Sequence, residues 1–361
     1  MEKYRVGIVG ATGMVGQRFI SLLKDHPWFE VNCVAASARS AGKTYREAVG
    51  ERWAFSWEIP EKVAGMTVVD AADIDEVSKH VDFVFCAADM KKDEIRALEE
   101  AYAKHEIPVV SNNSACRGIE DVPMVVPEIN ADHLAVIEAQ KKRLGTKNGF
   151  IAVKPNCSIQ SYVPALTPLL DFEPEKVSVC TYQAISGAGK TFKTWPEMVD
   201  NVIPYIGGED EKSENEPLKL WGHVEDGKIV NAALPVISAQ CLRVACSDGH
   251  MAAVSVSFKK KPTIEQIKER WANYETEAQR LELPSAPKPF LQYFEDPSRP
   301  QTRLDRDFQN GFGVSIGRLR EDKLFDYRFV CLSHNTVRGA AGGGILTAEL
   351  LCRKGYIPHR V

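Results

Sequence analysis

The chain has 361 residues, of which 44% are hydrophobic and 26% charged, and its formal net charge is −4 at neutral pH. This length suits two domains, and the composition is that of an ordinary soluble globular protein. The slightly negative charge argues against nucleic acid or an anionic membrane as the main partner, and no apolar run approaches the ~18 residues of a membrane span.

Location and metal content are limited by the first residues and by the cysteines. The opening "MEKYRVGIVGATGMVG" has no secretory leader pattern, so a cytoplasmic protein is expected. The nine cysteines form no CxxC pair, and no metal site is expected. In a reducing compartment most of them should be free thiols that pack as small buried side chains. Four lie in apolar runs and are expected to be of this kind: Cys33, Cys86, Cys180 and Cys331.

Strands and helices alternate over the first ~130 residues, in the pattern of a doubly wound α/β domain. The expected strands are "RVGIVG", "EVNCVAAS", "VDFVFCAA" and "IPVVSNN". Amphipathic helices are expected at "MVGQRFISLLKDH" and "KKDEIRALEEAYAKHE". The sequence therefore predicts an N-terminal Rossmann-like domain with a parallel sheet.

Longer strands follow Asn130 and predict an α+β domain with an open mixed sheet. They include "FIAVKPNC", "VSVCTYQAISGAG", "ALPVISAQCLRVACSD", "HMAAVSVSF" and "DYRFVCLSHN". The charged "GGEDEKSENEPLKLWG" is predicted to be an exposed loop that leads into a short helix. The Ala/Gly-rich last helix should return to the first domain, which gives expected domains of 1–133 with 336–361, and 134–335.

A glycine-rich turn lies between the first strand and the first helix. Gly10, Gly13 and Gly16 have the spacing G-x-x-G-x-x-G, a variant of the dinucleotide fingerprint. Glycines permit a tight turn, and the helix N-terminus can receive a pyrophosphate. Thr12, Met14 and Val15 share this turn, so we expect all six residues to contact a dinucleotide. Plain packing is the alternative use of such a turn.

The end of the second strand indicates which dinucleotide is bound. NAD enzymes usually place an acid there for the ribose 2′-hydroxyl, but "CVAASARSAGK" has none. Ser37, Arg39 and Ser40 instead offer hydroxyls and a cation that suit a 2′-phosphate. NADP is therefore the expected cofactor, although the same residues could form an ordinary polar surface loop.

A cysteine lies where a strand gives way to a helix in "KPNCSIQSYVPAL". A helix N-terminus favours a thiolate and can stabilise an oxyanion, which makes Cys157 a candidate nucleophile. The other interpretation is a small core residue. The local pattern alone leaves both open.

Five motifs in order resemble the aspartate-β-semialdehyde dehydrogenase family: "GATGMVG", "NCS", "TYQAISGAG", "RVACSDGH" and "NTVRGAAGG". Three further stretches are similar to the branch found in archaea and fungi: "ASARSAGK", "SNNSACRGIEDVPMVVPEIN" and "IPYIGGEDEKSENEPLKLWG". The resemblance covers residues 4–355, which is nearly the whole chain.

The resemblance implies a catalytic set in which Cys157 is the nucleophile, His250 the acid–base residue and Gln183 the group that orients the intermediate. His250 is one of eight histidines, and a lone histidine is more often structural. Gln183 could equally be a polar residue at a strand end.

Substrate and cofactor contacts are implied in the same way. Arg243 would clamp the substrate carboxylate and Glu216 would face its ammonium, while phosphate would meet Lys219, Arg117 and Asn156. By spacing alone, Glu216 and Lys219 could be a surface i,i+3 ion pair. The nicotinamide half of the cofactor would contact four residues: Ser186, Gly187, Gly189 and Asn335.

The implied reaction is NADP-dependent reductive dephosphorylation of L-aspartyl-4-phosphate to L-aspartate-4-semialdehyde, or its phosphorylating reverse, through a cysteine thioester. It would serve the biosynthesis of lysine, threonine, methionine and isoleucine. The open sheet of the second domain needs a cover, so a homodimer or a dimer-of-dimers tetramer is expected.

Four other functions compete with this one. A malonyl-CoA reductase would use the same cysteine and NADPH but would give the acid at Glu216 no ammonium partner. N-Acetyl-glutamyl-phosphate reductase and glyceraldehyde-phosphate dehydrogenase would need Gly-Cys-Tyr-Pro and Ser-Cys-Thr-Thr-Asn, and both are absent. A non-catalytic NADP(H) sensor would leave the cysteine and histidine motifs as coincidences.

Overall fold

Six parallel strands form the first of two large sheets in the computed structural model, which describes residues 2–359. These strands are β1 (Tyr4–Val9), β2 (Phe29–Ala36), β3 (Val69–Asp70), β4 (Phe83–Cys86), β5 (Val109–Ser111) and β6 (Ile151–Val153). Their order is β3-β2-β1-β4-β5-β6, the Rossmann arrangement, with its switch point between β1 and β4.

Helices cover both faces of this sheet, which is why the central strand β4 ("FVFC") is buried at every position. α1 presents Phe19, Ile20 and Leu23 to the sheet on one apolar face. The helices are α1 (Met14–Leu23), α2 (Tyr45–Val49), α3 (Glu61–Ala64), α4 (Ile74–Ser78), α5 (Lys92–Lys104) and α6 (Ile137–Leu144), with 3₁₀ turns at Gly50–Arg52 and Ala131–Val136.

Seven strands form the second large sheet, in the order β13-β14-β15-β12-β7-β11-β8, and β9 pairs with β10 in a hairpin. The strands of the sheet and of the hairpin together are β7 (Pro174–Gln183), β8 (Val202–Ile203), β9 (His223–Glu225), β10 (Lys228–Val230), β11 (Val236–Val244), β12 (His250–Phe258), β13 (Leu291–Phe294), β14 (Val314–Glu321) and β15 (Tyr327–Ser333). β7 runs parallel to β11 and antiparallel to β12. The predicted fold class, a Rossmann-like domain with an α+β domain on an open mixed sheet, is confirmed.

Helices pack on the inner face of this second sheet, where Trp271 donates to the Ala165 carbonyl. The remaining helices are α7 (Tyr162–Leu166), α8 (Glu209–Leu220), α9 (Ile264–Ala272), α10 (Glu277–Arg280), α11 (Thr302–Asp305) and α12 (Gly342–Arg353). Short 3₁₀ turns lie at Ser158–Gln160, Thr167–Phe172, Ile185–Ala188, Pro196–Met198 and Phe308–Gly311, and a π turn at Val337–Ala341 precedes α12. No helix within residues 2–359 is both long and apolar enough to cross a membrane.

The division between the sheets differs from the expected boundary at residue 134. β6 lies beyond that point but pairs with β5, so the chain leaves the first sheet only after Val153. At the other end, Ile345 and Leu346 of α12 share a core with Val6 and Phe19, so this helix packs on the first sheet.

The charged segment predicted as an exposed loop leading into a short helix is almost entirely the twelve-residue helix α8, which lies along β11. Asp210 accepts the Cys241 N–H at 2.8 Å, and Glu214 accepts the Ala239 N–H at 3.0 Å. The predicted helix is present, but the expected exposed loop was wrong, because these acids satisfy N–H groups of a sheet edge instead of facing only water.

Candidate active site

The candidate nucleophile is half-buried in the turn that follows β6. The Asn156 side-chain oxygen accepts the Ser158 N–H at 2.8 Å and so fixes this turn. Cys157 was expected at a helix N-terminus. It begins a 3₁₀ turn, and the α-helix that follows, α7, starts only at Tyr162. Neighbouring charged side chains therefore matter more for its thiolate than a helix dipole.

His250, the first residue of β12, faces this cysteine. Its Nε2 lies 3.5 Å from the Cys157 Sγ, and its Nδ1 accepts the Ala184 N–H at 3.0 Å. An N–H can only donate, so the proton of the neutral ring must be on Nε2, next to the sulfur. Burial, with a smaller contribution from Arg243, lowers the pKa of His250 to about 3. The imidazole is therefore neutral at physiological pH.

Arg243 and Gln183 are opposite each other on the paired strands β11 and β7. Arg243 Nη1 donates to the Ala184 carbonyl at 2.7 Å, and within residues 2–359 no other nitrogen of this guanidinium has a hydrogen-bond partner. A Cβ on Gly187 would lie 2.8 Å from that Nη1 and 3.0 Å from His250 Nε2. Glycine thus lets the "SGAG" loop lie against both side chains.

Glu216 and Lys219 are bonded within the protein, and both also line a cavity of about 580 Å³. Glu216 accepts from Arg117 Nη1 at 2.9 Å and from the Asn156 N–H at 2.5 Å. Lys219 donates to the carbonyls of Arg117, Ile119 and Val122 at 2.7–3.0 Å. The pair holds the loop that carries Arg117 against the turn that carries the nucleophile. It is not the surface ion pair that spacing alone allowed.

Glu209 and Lys212 belong to the site, although the sequence analysis did not select them. The buried Glu209 carboxylate accepts from Asn156 Nδ2 at 2.9 Å, from Lys212 Nζ at 2.7 Å and from Gln183 Nε2 at 3.3 Å. A usable signal existed, because the pattern E-x-x-K occurs twice in "GEDEKSENEPLK", first at Glu209 and again at Glu216.

The charges around Cys157 oppose one another. Burial raises the pKa of the thiol, and the Glu209 carboxylate raises it further. Lys154, Arg117 and Arg243 lower it. A reactive thiolate therefore depends on the cations near the sulfur.

The glycine turn after β1 has the geometry of a phosphate cradle. Gly10 has φ +82°, and a Cβ there would lie 2.3 Å from the Ala87 carbonyl oxygen, at the switch point of the sheet. A Cβ on Gly16 would lie 2.4 Å from the Gly10 oxygen, so α1 can pack close to the turn. No side chain caps the N-terminus of α1, where Met14 and Val15 follow Thr12 and Gly13. Its N–H groups are left for a pyrophosphate.

The other expected cofactor contacts lie at strand ends. Ser37 and Arg39 are exposed just beyond β2, next to the buried Ser40. Asn335 donates to Ser186 Oγ at 2.8 Å and accepts the Gly249 N–H at 2.7 Å, which ties the "SGAG" loop to the loop before His250.

Two cavities are lined by residues expected in the site. One of about 150 Å³ is lined by Met14 of the first domain and by Ser186 and Lys190 of the second, and Gly189 ends the same loop. The other, of about 580 Å³, is lined by Arg117 and Lys212. The first cavity joins the glycine turn to the "SGAG" loop, and both acidic and basic side chains line the second.

Two family models match the chain. "Semialdehyde dehydrogenase, NAD binding domain" matches residues 5–137, and "Semialdehyde dehydrogenase, dimerisation domain" matches residues 166–338. Together with the fold, these matches define a semialdehyde dehydrogenase, an oxidoreductase with an NAD-binding domain.

Curated relatives narrow the class further. Aspartate-semialdehyde dehydrogenases of Aspergillus fumigatus and Archaeoglobus fulgidus are each 43% identical over 98% of this chain and cover 99% and 100% of their own lengths. That of Schizosaccharomyces pombe is 45% identical over 98% of this chain and 99% of its own. The chain belongs to the aspartate-semialdehyde dehydrogenase family, and its relatives include archaeal and fungal members, as the motifs indicated.

Solved structures agree with this assignment. The aspartate semialdehyde dehydrogenase of Candida albicans, determined with NADP, superposes with a TM-score of 0.88 at 38% identity and covers 99% of this chain and 100% of its own. Aspartate semialdehyde dehydrogenase II of Vibrio cholerae gives a TM-score of 0.74 at 25% identity, with 98% and 100% covered.

Proposed function

We propose that this chain reduces L-aspartyl-4-phosphate to L-aspartate-4-semialdehyde and phosphate with NADPH, and catalyses the phosphorylating reverse. The reaction would serve the synthesis of lysine, threonine, methionine and isoleucine. The observation that carries the proposal is the 3.5 Å contact of Cys157 Sγ with a buried His250 Nε2 whose other nitrogen accepts a backbone N–H.

Acyl transfer to sulfur is the first step of the proposed mechanism. The Cys157 thiolate attacks the acyl carbon, a C–S bond forms, and the C–O bond to phosphate breaks, with phosphate taking the electron pair. The thioester splits one difficult exchange into two easier ones. Gln183, at the end of β7, is proposed to donate a hydrogen bond to the acyl oxygen.

Reduction of the thioester follows. Bound NADPH supplies a hydride to the acyl carbon. The His250 Nε2–H then hydrogen bonds to the oxygen while it is negative, and the C–S bond breaks to release the aldehyde and the thiolate. In the oxidative direction the thiolate adds to the aldehyde, and the same Nε2–H would hydrogen bond to the hemithioacetal oxyanion that this addition forms.

Substrate recognition is proposed to use the charged and polar groups around Cys157 and along the 580 Å³ cavity. Arg243 would clamp the α-carboxylate with the nitrogens that lack partners. Glu216, which lines this cavity, would face the α-ammonium with Glu209 as a second acceptor, and the phosphate would be surrounded by Lys219, Arg117, Lys212 and Asn156. Through their bonds within the protein, Glu216 and Lys219 would also hold the Arg117 loop.

The proposed cofactor is NADP. The Gly10–Gly16 turn would bind its pyrophosphate, Ser37, Arg39 and Ser40 its 2′-phosphate, and the "SGAG" loop with Asn335 its nicotinamide. The nine cysteines, all unpaired in the structure, support a reducing, cytoplasmic location. A homodimer, or a tetramer built from two dimers, is the proposed assembly.

The test is phosphate-dependent reduction of NADP by the purified protein with L-aspartate-β-semialdehyde, run beside Cys157→Ser. Robust wild-type turnover that disappears without phosphate, and a variant at background rate, would support both reaction and nucleophile. Cys180→Ser, another half-buried cysteine away from His250, is the matched control and should keep wild-type turnover.

A malonyl-CoA arm tests the substrate class. NADPH oxidation with malonyl-CoA, and no turnover with aspartate semialdehyde, would contradict the proposed substrate while leaving the cysteine chemistry in place.

A further inference from the structure

Lys154 is a buried lysine to which the proposed mechanism gives no part. It immediately precedes the turn that carries the nucleophile and is only 2% exposed. Its Nζ donates to the Pro155 carbonyl, inside the same turn. An ammonium has three N–H groups to satisfy, and within residues 2–359 this is the one hydrogen bond that the side chain makes.

The glycine-rich segment before and within α12 covers both Lys154 and Cys157. A Cβ on Gly339 would lie 2.9 Å from the Cys157 Cβ, and one on Gly343 would lie 3.1 Å from the Lys154 Cδ. These glycines are four residues apart, so the two side chains lie under one short stretch of backbone. This cover limits the access of water to both, which strengthens any interaction between their charges.

The charged groups that face Lys154 are mostly paired already. Arg117 is bonded to Glu216 at 2.9 Å. Arg338 is bonded to the fully buried Glu128 at 2.8 Å. Burial, with Arg117 next, lowers the pKa of Lys154 to about 7, while Cys157 and Glu216 oppose this change. Cys157 is therefore the one acidic group facing Lys154 without a bonded cation of its own.

The groups that face Cys157 lead to the same pairing. Glu209 is bonded to Lys212 at 2.7 Å, and His250 is neutral. Arg243 is committed in part to the Ala184 carbonyl. Lys154 is the first of the cations that lower the pKa of this thiol.

We propose that Lys154 is a positioning residue of the nucleophile, whose ammonium stabilises the Cys157 thiolate while its hydrogen bond to the Pro155 carbonyl holds the turn in place. This inference rests on the proposed function only in taking Cys157 as the nucleophile. The protonation states of the cysteine and the lysine are then coupled, so the apparent pKa values belong to the pair.

Alkylation of Cys157 by iodoacetamide, followed against pH by mass spectrometry of its peptide, measures the thiolate without substrate or cofactor. For Lys154→Met and Lys154→Gln we expect the pH midpoint to rise and the rate at pH 7 to fall roughly tenfold, because the attracting charge is gone. Lys154→Arg keeps the charge at every pH and should have a midpoint at or below the wild-type value.

Lys142→Met, an exposed lysine on α6, is the control and should leave the profile unchanged. A lysine that only braced the turn would change the rate without moving the midpoint. Wild-type midpoints in both Lys154→Met and Lys154→Gln, or a midpoint in Lys154→Arg as high as in Lys154→Met, would overturn the proposal. Since no substrate is present, this result is independent of whether the enzyme accepts aspartate semialdehyde.

Discussion

At the scale of single residues, reactivity in the site depends on which groups carry charge. Ala184 uses both of its backbone groups here, because its N–H is donated to His250 and its carbonyl accepts from Arg243. Protonation of His250 Nδ1 would break the first bond inside a region that already holds a guanidinium. The enclosed imidazole is consequently held in one tautomer and one charge state.

Stability at acid pH should report this neutral state. The pKa of His250 is lowered from 6.5 to about 3, so the unfolded chain binds a proton between these values and the folded chain does not. The contribution of neutral His250 to folding stability is fully present above pH 6.5 and is lost as pH falls toward 3. The free energy of unfolding, measured with urea, should fall between pH 6.5 and pH 4 in the wild-type protein. In His250→Asn this fall should be smaller by roughly 2–3 kcal/mol.

The exposed His223, changed to Asn, is the control for this measurement and should leave the slope as it is. His334, whose pKa is lowered to about 4, contributes with the same sign, so part of the slope should persist in His250→Asn. An unaltered slope in His250→Asn would contradict the assignment of a neutral ring.

Glu209 should act on the nucleophile in the direction opposite to Lys154. Its carboxylate raises the pKa of Cys157, so Glu209→Gln should make the thiol alkylate several-fold faster at pH 7. The same change should raise KM for aspartate semialdehyde roughly 10- to 100-fold, because the α-ammonium loses one of its acceptors. Glu211→Gln, an exposed neighbour on α8, serves as the control. Faster alkylation without a change in KM would separate the two roles and refute the ammonium contact.

At the scale of elements, the parts of the fold that the sequence could predict are those set by neighbours in the chain. The Gly10–Gly16 turn lies between β1 and α1 because strand, turn and helix are consecutive. The position of α8 depends instead on contacts with β11, about 30 residues later. Two E-x-x-K patterns look alike in the sequence, and only that packing brings Glu209, and not Glu216, to Gln183.

The role of α8 as a brace can be tested through Lys219. Lys219→Met would remove the ammonium donor from three carbonyls, of which that of Ile119 still accepts the Val122 N–H, and each buried group left unpaired costs about 1–3 kcal/mol. We expect unfolding free energy to fall by roughly 2–4 kcal/mol and KM for phosphate to rise as the Arg117 loop loosens.

Lys228→Met is the matched control for this change. Its ion pair with Glu120 is exposed, so stability should change by less than ~0.5 kcal/mol. A Lys219→Met protein of wild-type stability would show that the three carbonyls find water instead.

At the scale of the whole molecule, the second sheet leaves one face without a cover in the single chain. Val236 is 62% exposed and Leu234 53%, and Tyr182 on the adjacent strand is 37% exposed. Large apolar side chains grouped on a sheet face usually mark an interface. The match to a dimerisation domain falls on this part of the chain.

We therefore expect light scattering at micromolar concentration to give the mass of a dimer or of a multiple of it. Val236→Asp should shift the protein toward monomer, because a charge on this exposed face must be desolvated when a partner covers it. Leu324 lies in the turn between β14 and β15 and is 90% exposed, so Leu324→Asp should not alter the mass. A monodisperse wild-type monomer would rule out this face as an interface.

The placement of the catalytic groups on two sheets has a consequence for refolding. Cys157 and Lys154 follow β6 of the first sheet, whereas Gln183, Arg243 and His250 lie on strands of the second. The 3.5 Å contact between sulfur and imidazole joins the two domains, so it forms only after they have docked. In a protein of this size, domains commonly fold as units and assemble later. After dilution from denaturant, enzyme activity should consequently recover later than the far-UV circular dichroism signal. The length of this delay measures the time that domain assembly takes.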